Sequence, residues 1–275
     1  LADWLADSKN PLTWRSIANR VWHYHFGTGL CDTPNDFGRM GGTPSHPELL
    51  DWLACELRDH NGSLKHLHRL ICNSHTYRQS SASRSELVKL DPENRLLARM
   101  SRRRLDADSY RDAVLLVSGE LDLKQGGPGD AHFTTTPGPQ VTPVLHYDQF
   151  DLNRPDAHRR SIYRVVWRGI PDPLMDALDF PDLGLLAPTR GFSASPLQSL
   201  VLLNNRFVLH FAHKLAERAA KSETIPGQVR QIILWVWLRE PTTEELNQLT
   251  ELAQQHGLES VCRLVLNSNE FLFVE

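Results

Sequence analysis

Asp36 and His46 stand on either side of a Gly-Gly turn in "TPNDFGRMGGTPSHPELLDWL", residues 33–53. If their side chains meet, the carboxylate orients the imidazole and the pair can move a proton. His46 also precedes a predicted helix start, where free N–H groups bind an anion or a polar substrate. The plainer reading comes first: Asp36, Ser45 and His46 satisfy backbone donors of the loop and the helix end. The loop is thus a capped helical corner before it is a ligand site. A second set of residues is cationic. "RLLARMSRRRLDADSYRD" places Arg95, Arg99, Arg102, Arg103 and Arg104 ahead of Asp106, Asp108 and Asp112. Guanidinium forks grip carboxylates and sulfates bidentately. Arg102, Arg103 and Arg104 are therefore candidate ligand-binding residues for a sulfated or carboxylated glycan, with internal ion pairs to the aspartates as the favoured rival. Asp148 and Asp151, in "YDQFD", are the residue types of a glycosidase pair, but nearness in sequence does not set their separation in space.

Metal chemistry finds less support. Cys31, Cys55, Cys72 and Cys262 are far apart and form neither a C-x-x-C pair nor a haem-attachment motif. His68, Cys72 and His75 share one helical face, but His75 falls at the predicted helix end. His25 lies on an apolar face and reads as a hydrogen-bonded core histidine. No metal or cofactor is expected within this chain.

The elements that must position these residues are mostly helical. Composition is ordinary for a globular protein: 275 residues, 40% hydrophobic, 23% charged, net charge −3. That excludes the disordered class and argues against a nucleic-acid partner. The apolar runs fall far short of the ~20 residues of a membrane span. A chain beginning with Leu1 is expected to be a piece excised from a longer multidomain protein. Trp14, Ile17, Ala18, Val21, Trp22 and His25 recur at helical spacing. A second helix is predicted from about Pro47 to His60, with Leu49, Leu50, Leu53 and Leu57 inward. A third starts near Ser63 and buries Leu64, Leu67 and Ile71; another covers residues 107–118. From 124 to 160 the chain is rich in Gly, Pro and Thr and has no helical period. "SIYRVVW" (161–167) reads as a strand, paired with "VTPVLHY" (141–147) at a sheet edge. Ser195-Pro196 opens a long helix aligning Leu197, Val201, Asn204, Val208, Phe211 and Leu215, with Asn204 as a structural hydrogen-bonding node. Val229, Ile232, Ile233, Val236 and Trp237 mark the next. "TTEE" (242–245) fits a capping box, and Cys262 joins Leu258, Val261 and Val265 on a core stripe. The predicted fold is mainly α: a helical, bundle-like domain with an irregular Gly/Pro-rich centre and a minor β element. Its linear segments are 1–123, 124–194 and 195–275.

The runs "NRVWHYHFGTGL", "TPNDFG", "SHPELLDWLA", "LKHLHRLI", "TYRQS", "DPENRLL", "RRRLDADSYRDAVL", "RRSIYR", "SPLQSLVLLNN", "REPTTEE" and "LNSNEFLFV" resemble the domain of unknown function 1553 over nearly the whole chain. The resemblance implies a single family domain in a bacterial, planctomycete-type protein located outside the cytoplasm. It also implies upstream partner domains in the same polypeptide, with haem c only on an upstream cytochrome module, and a link to polysaccharide utilisation. No reaction comes with it. Two positions depart from the usual pattern: the tryptophan expected between Gly62 and Ser63 is absent, and Thr28 replaces an arginine. The latter weakens any anion site at that turn. Three functions follow as alternatives: a docking or ligand-positioning module, a glycan-acting enzyme domain (redox or hydrolytic) near Asp36 and His46, and a structural spacer.

Overall fold

Small polar caps and prolines decide where the helices of the computed structural model begin. Residues 1–139, 142–183, 185, 187, 189–193 and 195–274 are described. The chain forms two compact units, Leu1–Arg103 and Arg104–Val274. About half of it is helical, with two small two-stranded sheets.

In the first unit, α1 (Ala2–Ala6) precedes α2 (Pro11–Phe26), whose Asn10 cap accepts the Leu12 N–H and whose Pro11 sits where a missing N–H costs nothing. Next come α3 (Pro47–Asp59), α4 (Leu64–Cys72) and α5 (Ser85–Leu90). Helices α2, α3 and α4 pack together around Ala18, Val21, Trp22, Leu50, Leu53, Leu57, Leu67 and Ile71. Arg15 clamps Asp51 bidentately at 2.5 and 2.8 Å, tying α2 to α3. Two residues of the predicted apolar faces, Ile17 and Leu64, are exposed. Leu64 is the first residue of its helix, so its side chain leans back over the preceding turn and away from the core. The buried position that periodicity overlooks is Asn19. Its amide donates to Cys31 O at 2.9 Å and accepts the Cys31 N–H at 2.8 Å, replacing a backbone pairing inside the core.

The second unit contains α6 (Ala107–Ser118), α7 (Pro173–Ala177), α8 (Pro196–Asn204), α9 (Arg206–Ala219), α10 (Ile225–Val236), α11 (Thr243–His256), α12 (Leu258–Leu266) and α13 (Asn269–Leu272). Helix α9 is central, packing on α6, α8, α10 and α12 through Val208, Phe211, Ala212 and Leu215. Cys262 lies fully buried there, and Thr242 with Glu245 forms the reciprocal capping box. The strands β1 (Arg103–Arg104), β2 (Thr134–Thr136), β3 (Val144–His146) and β4 (Phe273–Val274) are short.

Two predicted elements are corrected. Residues 161–163 form a 3-10 turn rather than a strand, and β3 pairs antiparallel with β2, Leu145 opposite Thr135. (Val141 of the predicted partner lies outside the described residues.) The long helix from 196 is two helices. Asn205 has extended backbone and its side chain caps Phe207 N–H, so α9 restarts there. The break rotates Leu197 off the α9 stripe, leaving it exposed.

Replacing Asn19 by Ala leaves a buried N–H and a buried C=O unpaired, each worth roughly 1–3 kcal/mol. We expect Asn19→Ala to lower stability by about 2–4 kcal/mol, measured as a shift in the urea midpoint with the slope unchanged.

Candidate functional site

Helix α6 turns Ala107, Tyr110, Val114 and Leu115 inward, and Arg111 falls on the same face. Arg111 as a whole is 3% exposed. Its Nη2 donates to Ala157 O at 2.5 Å, and Nη1 donates to Arg159 O at 2.9 Å and Ser161 Oγ at 3.4 Å. The Phe207 ring lies 5.2 Å away. Asp112 stands 3.7 Å from Nη1 but accepts the Ser161 N–H at 2.7 Å and lies 3.5 Å from Arg160. Arg111 is therefore held mainly by neutral oxygens. Burial, and then the nearby Arg164 charge, pull its pKa down to about 9, which leaves it protonated at neutral pH. A cavity of about 170 Å³ is lined by Arg111, His132, Asp148, Asp172, Arg206 and Phe207, among others.

Tyr147, Asp172 and Met175 also line a second cavity, of about 290 Å³, with Arg164, Trp167 and Phe180. Between the two runs a fixed polar chain. Arg164 donates to Asp172 Oδ2 at 2.6 Å, while Asp172 Oδ1 caps α7 through the N–H groups of Leu174 and Met175. Arg164 Nε also donates to His132 Nδ1 at 3.2 Å. A guanidinium cannot accept, so Nδ1 carries the lone pair and Nε2–H donates to Asp156 O at 3.0 Å. Burial first, then Arg111 and Arg164, depress the His132 pKa to about 3. This histidine is neutral and locked in one tautomer. The Tyr147 hydroxyl donates to Ile170 O at 2.8 Å. At the second cavity Trp167 is partly exposed and meets Phe133 edge-on. The arrangement offers a buried cation, a second cation (Arg206) near the surface and an aromatic plate. The described side chains joined here are committed to holding one another.

The chain matches, over residues 1–253, the family model described as PSD1, a protein of unknown function (DUF1553). It belongs to that family. No curated protein and no solved structure matches the chain.

The structure of this DUF1553 domain distributes the candidates picked from sequence. His46 is the N-cap of α3 without a side-chain capping bond, its Nδ1 lying 3.0 Å from Ser45 Oγ. Asp36 accepts the Gly38 N–H at 2.8 Å, and its carbonyl takes the Thr33 hydroxyl. No hydrogen bond or ion pair joins the two among the described residues, and neither lines the cavities above. A Cβ on Gly41 would stand 2.1 Å from Asp36 O, so the glycine pair allows the corner to close. Arg102 is exposed; Arg103 donates to Tyr24 O. Arg104 pairs with Asp179 at 2.7 Å and donates to Leu178 O. Burial opposes ionisation of Asp179, yet its hydrogen bonds from Ser193 and its pairing with Arg104 hold it below the usual carboxylate range. Arg95 faces Asp32 at 3.7 Å, and Asp106 and Asp108 both face Arg190. The arginines do find internal partners, mostly distant in sequence rather than interleaved. Asp148 receives Arg206 on its backbone carbonyl, while the Asp151 carboxylate accepts from Asn153. His25 bonds His68 across 2.7 Å. Asn204 is exposed and receives Arg263 from α12. All four cysteines are free.

Sequence reasoning missed Arg111, His132, Arg164 and Asp172. Arg111 alone carried a signal, a charge on the apolar stripe of α6; the others lie in aperiodic chain.

His132 makes stability depend on pH. The unfolded chain takes up a proton below 6.5 while the folded one does not until about 3. Its stabilising contribution is thus complete above 6.5 and is lost as pH falls through that window. From pH 6.5 to about 5, the wild type is expected to lose about 2 kcal/mol more than His132→Gln. Urea unfolding at the two pH values measures the difference.

Proposed function

We propose that this domain is a ligand-positioning module for an acidic saccharide, held in the paired cavities of the second unit. The observation that carries the reading is Arg111, a buried cation beside a cavity whose hydrogen bonds go to neutral oxygens and whose counter-charges are Asp112 at 3.7 Å and, further off, Asp108 and Asp172. A charge removed from water at a cost of several kcal/mol is best matched by a carboxylate or sulfate arriving there. Arg206 adds attraction nearer the surface, and Trp167 supplies a face on which a sugar ring stacks. The bonds fixing His132 and Asp172 suit holding a ligand better than transferring a proton. Family membership supports the wider setting: an extracytoplasmic, bacterial, cytochrome c-associated protein concerned with polysaccharide utilisation. In it, upstream domains carry the haem and this one presents the substrate. A docking role is favoured by one further feature, the exposed Leu197, Leu200 and Leu203 at three-residue steps along α8.

Calorimetric titration with oligogalacturonides and sulfated galactan oligosaccharides, beside the neutral galactan, tests the reading. The acidic probes are expected to bind and the neutral one not. Arg206→Ala and Trp167→Ala should each weaken binding about tenfold, or about 1.4 kcal/mol, with the thermal midpoint unchanged. Equal affinity for neutral and acidic probes, or no binding by the folded wild type, would overturn it.

A further inference from the structure

The first unit carries a second constellation, remote in chemistry from the saccharide cleft. Glu56 and His60 are one turn apart at the end of α3. Asn61 (φ 53°) and Gly62 (φ 69°) then reverse the chain through left-handed backbone. Ser63 caps α4 by accepting the N–H of His66 and so places that histidine on the first turn. A single tight corner thereby gathers one carboxylate and two imidazoles, whose ligand atoms all lie within 4.8 Å of one another. Glu56 Oε2 stands 2.9 Å from His66 Nε2 and 3.5 Å from His60 Nδ1. Four ligands bound at zinc-like lengths of about 2.0–2.1 Å stand roughly 3.3 Å apart in a tetrahedron. The two measured separations bracket that value.

We propose that Glu56, His60 and His66 form a binding site for a divalent late transition metal of the zinc, cobalt or nickel kind. Two imidazoles and one carboxylate select such ions over calcium or magnesium, which take oxygen ligands. The rings of His60 and His66 lie face to face, centroids 3.7 Å apart and 15° from parallel. Coordination must therefore turn them out of the stack and free His60 Nδ1 of its proton, which it donates to the Glu56 carbonyl at 2.9 Å. With side chains 47% and 29% exposed, both rings have room to turn. The same exposure leaves the remaining coordination positions to water or to an external ligand. The other histidine cluster lacks this convergence. His25 spends one nitrogen on His68 at 2.7 Å, and the sulfur of Cys72 lies 4.0 Å from the opposite nitrogen.

The test is equilibrium dialysis and calorimetry of the tag-free chain with Zn²⁺, repeated with Co²⁺ so that the visible spectrum reports coordination number. The expected result is about one ion per chain and a four- or five-coordinate cobalt spectrum. His66→Ala and Glu56→Gln should each weaken binding by at least about tenfold, while His68→Ala leaves it unchanged. Circular dichroism checks that each variant is folded. Loss of binding in folded His68→Ala, or unchanged affinity in folded His66→Ala and Glu56→Gln, would overturn the assignment. Absence of stoichiometric binding by the wild type would do the same.

Discussion

A guanidinium without water around it governs the second unit. Arg111 has to satisfy its donors inside the protein, and it does so on the carbonyls of Ala157 and Arg159 and the hydroxyl of Ser161. Those acceptors belong to the irregular centre of the chain, so burying one helical arginine also pins a loop to the helices. The neighbouring Asp112 holds the same loop by the Ser161 N–H. The Arg111 side chain also lines a cavity, and the proposed ligand reading rests on that placement.

The same device recurs wherever the central segment lacks a ladder or a helix. Irregular backbone still has carbonyls that need donors. Arg159 supplies them to Gly126 and Pro128 while pairing with Asp130 and lying 4.0 Å over the Tyr163 ring. Arg206 supplies Asp148, Arg104 supplies Leu178, and the Tyr147 hydroxyl supplies Ile170. Side-chain donors thus supplement the short strands, turns and single short helix of the central segment. A site built this way is rigid without being regular.

In the first unit the polar groups do a different job. The loop between Thr33 and His46 closes on itself through the Thr33 hydroxyl, which donates to Asp36 O and accepts the Gly42 N–H. Asn19 performs the equivalent closure on Cys31 within the core. Asp36 and His46 hold the ends of a corner and have no bond to each other. The turn at Asn61-Gly62, in contrast, has convergent side chains on both of its flanks. Corners of similar construction can therefore differ in chemistry, according to where the side chains of the flanking helices point.

Helix positions, most of the core and several caps were legible from local information, because a 3.6-residue period and an N-cap are written within a few neighbouring residues. The span 107–118, the stripe Val229, Ile232, Ile233 and Val236, and the Thr242 capping box follow from that. So does the order of motifs that marks the family. The break at Asn205 is a local cap that the continuous apolar stripe masked. The 3-10 turn at 161–163 and the partner of β3 were not legible, since each involves hydrogen bonds to another segment. The same holds for the cleft. Arg111, His132, Arg164 and Asp172 come from separate stretches, and only packing of the aperiodic centre onto α6 and α9 brings them together. Sequence determined the helices and the cations available to the fold. Tertiary structure decided which cation is deprived of water, because burial depends on the surroundings of a residue and not on the residue itself.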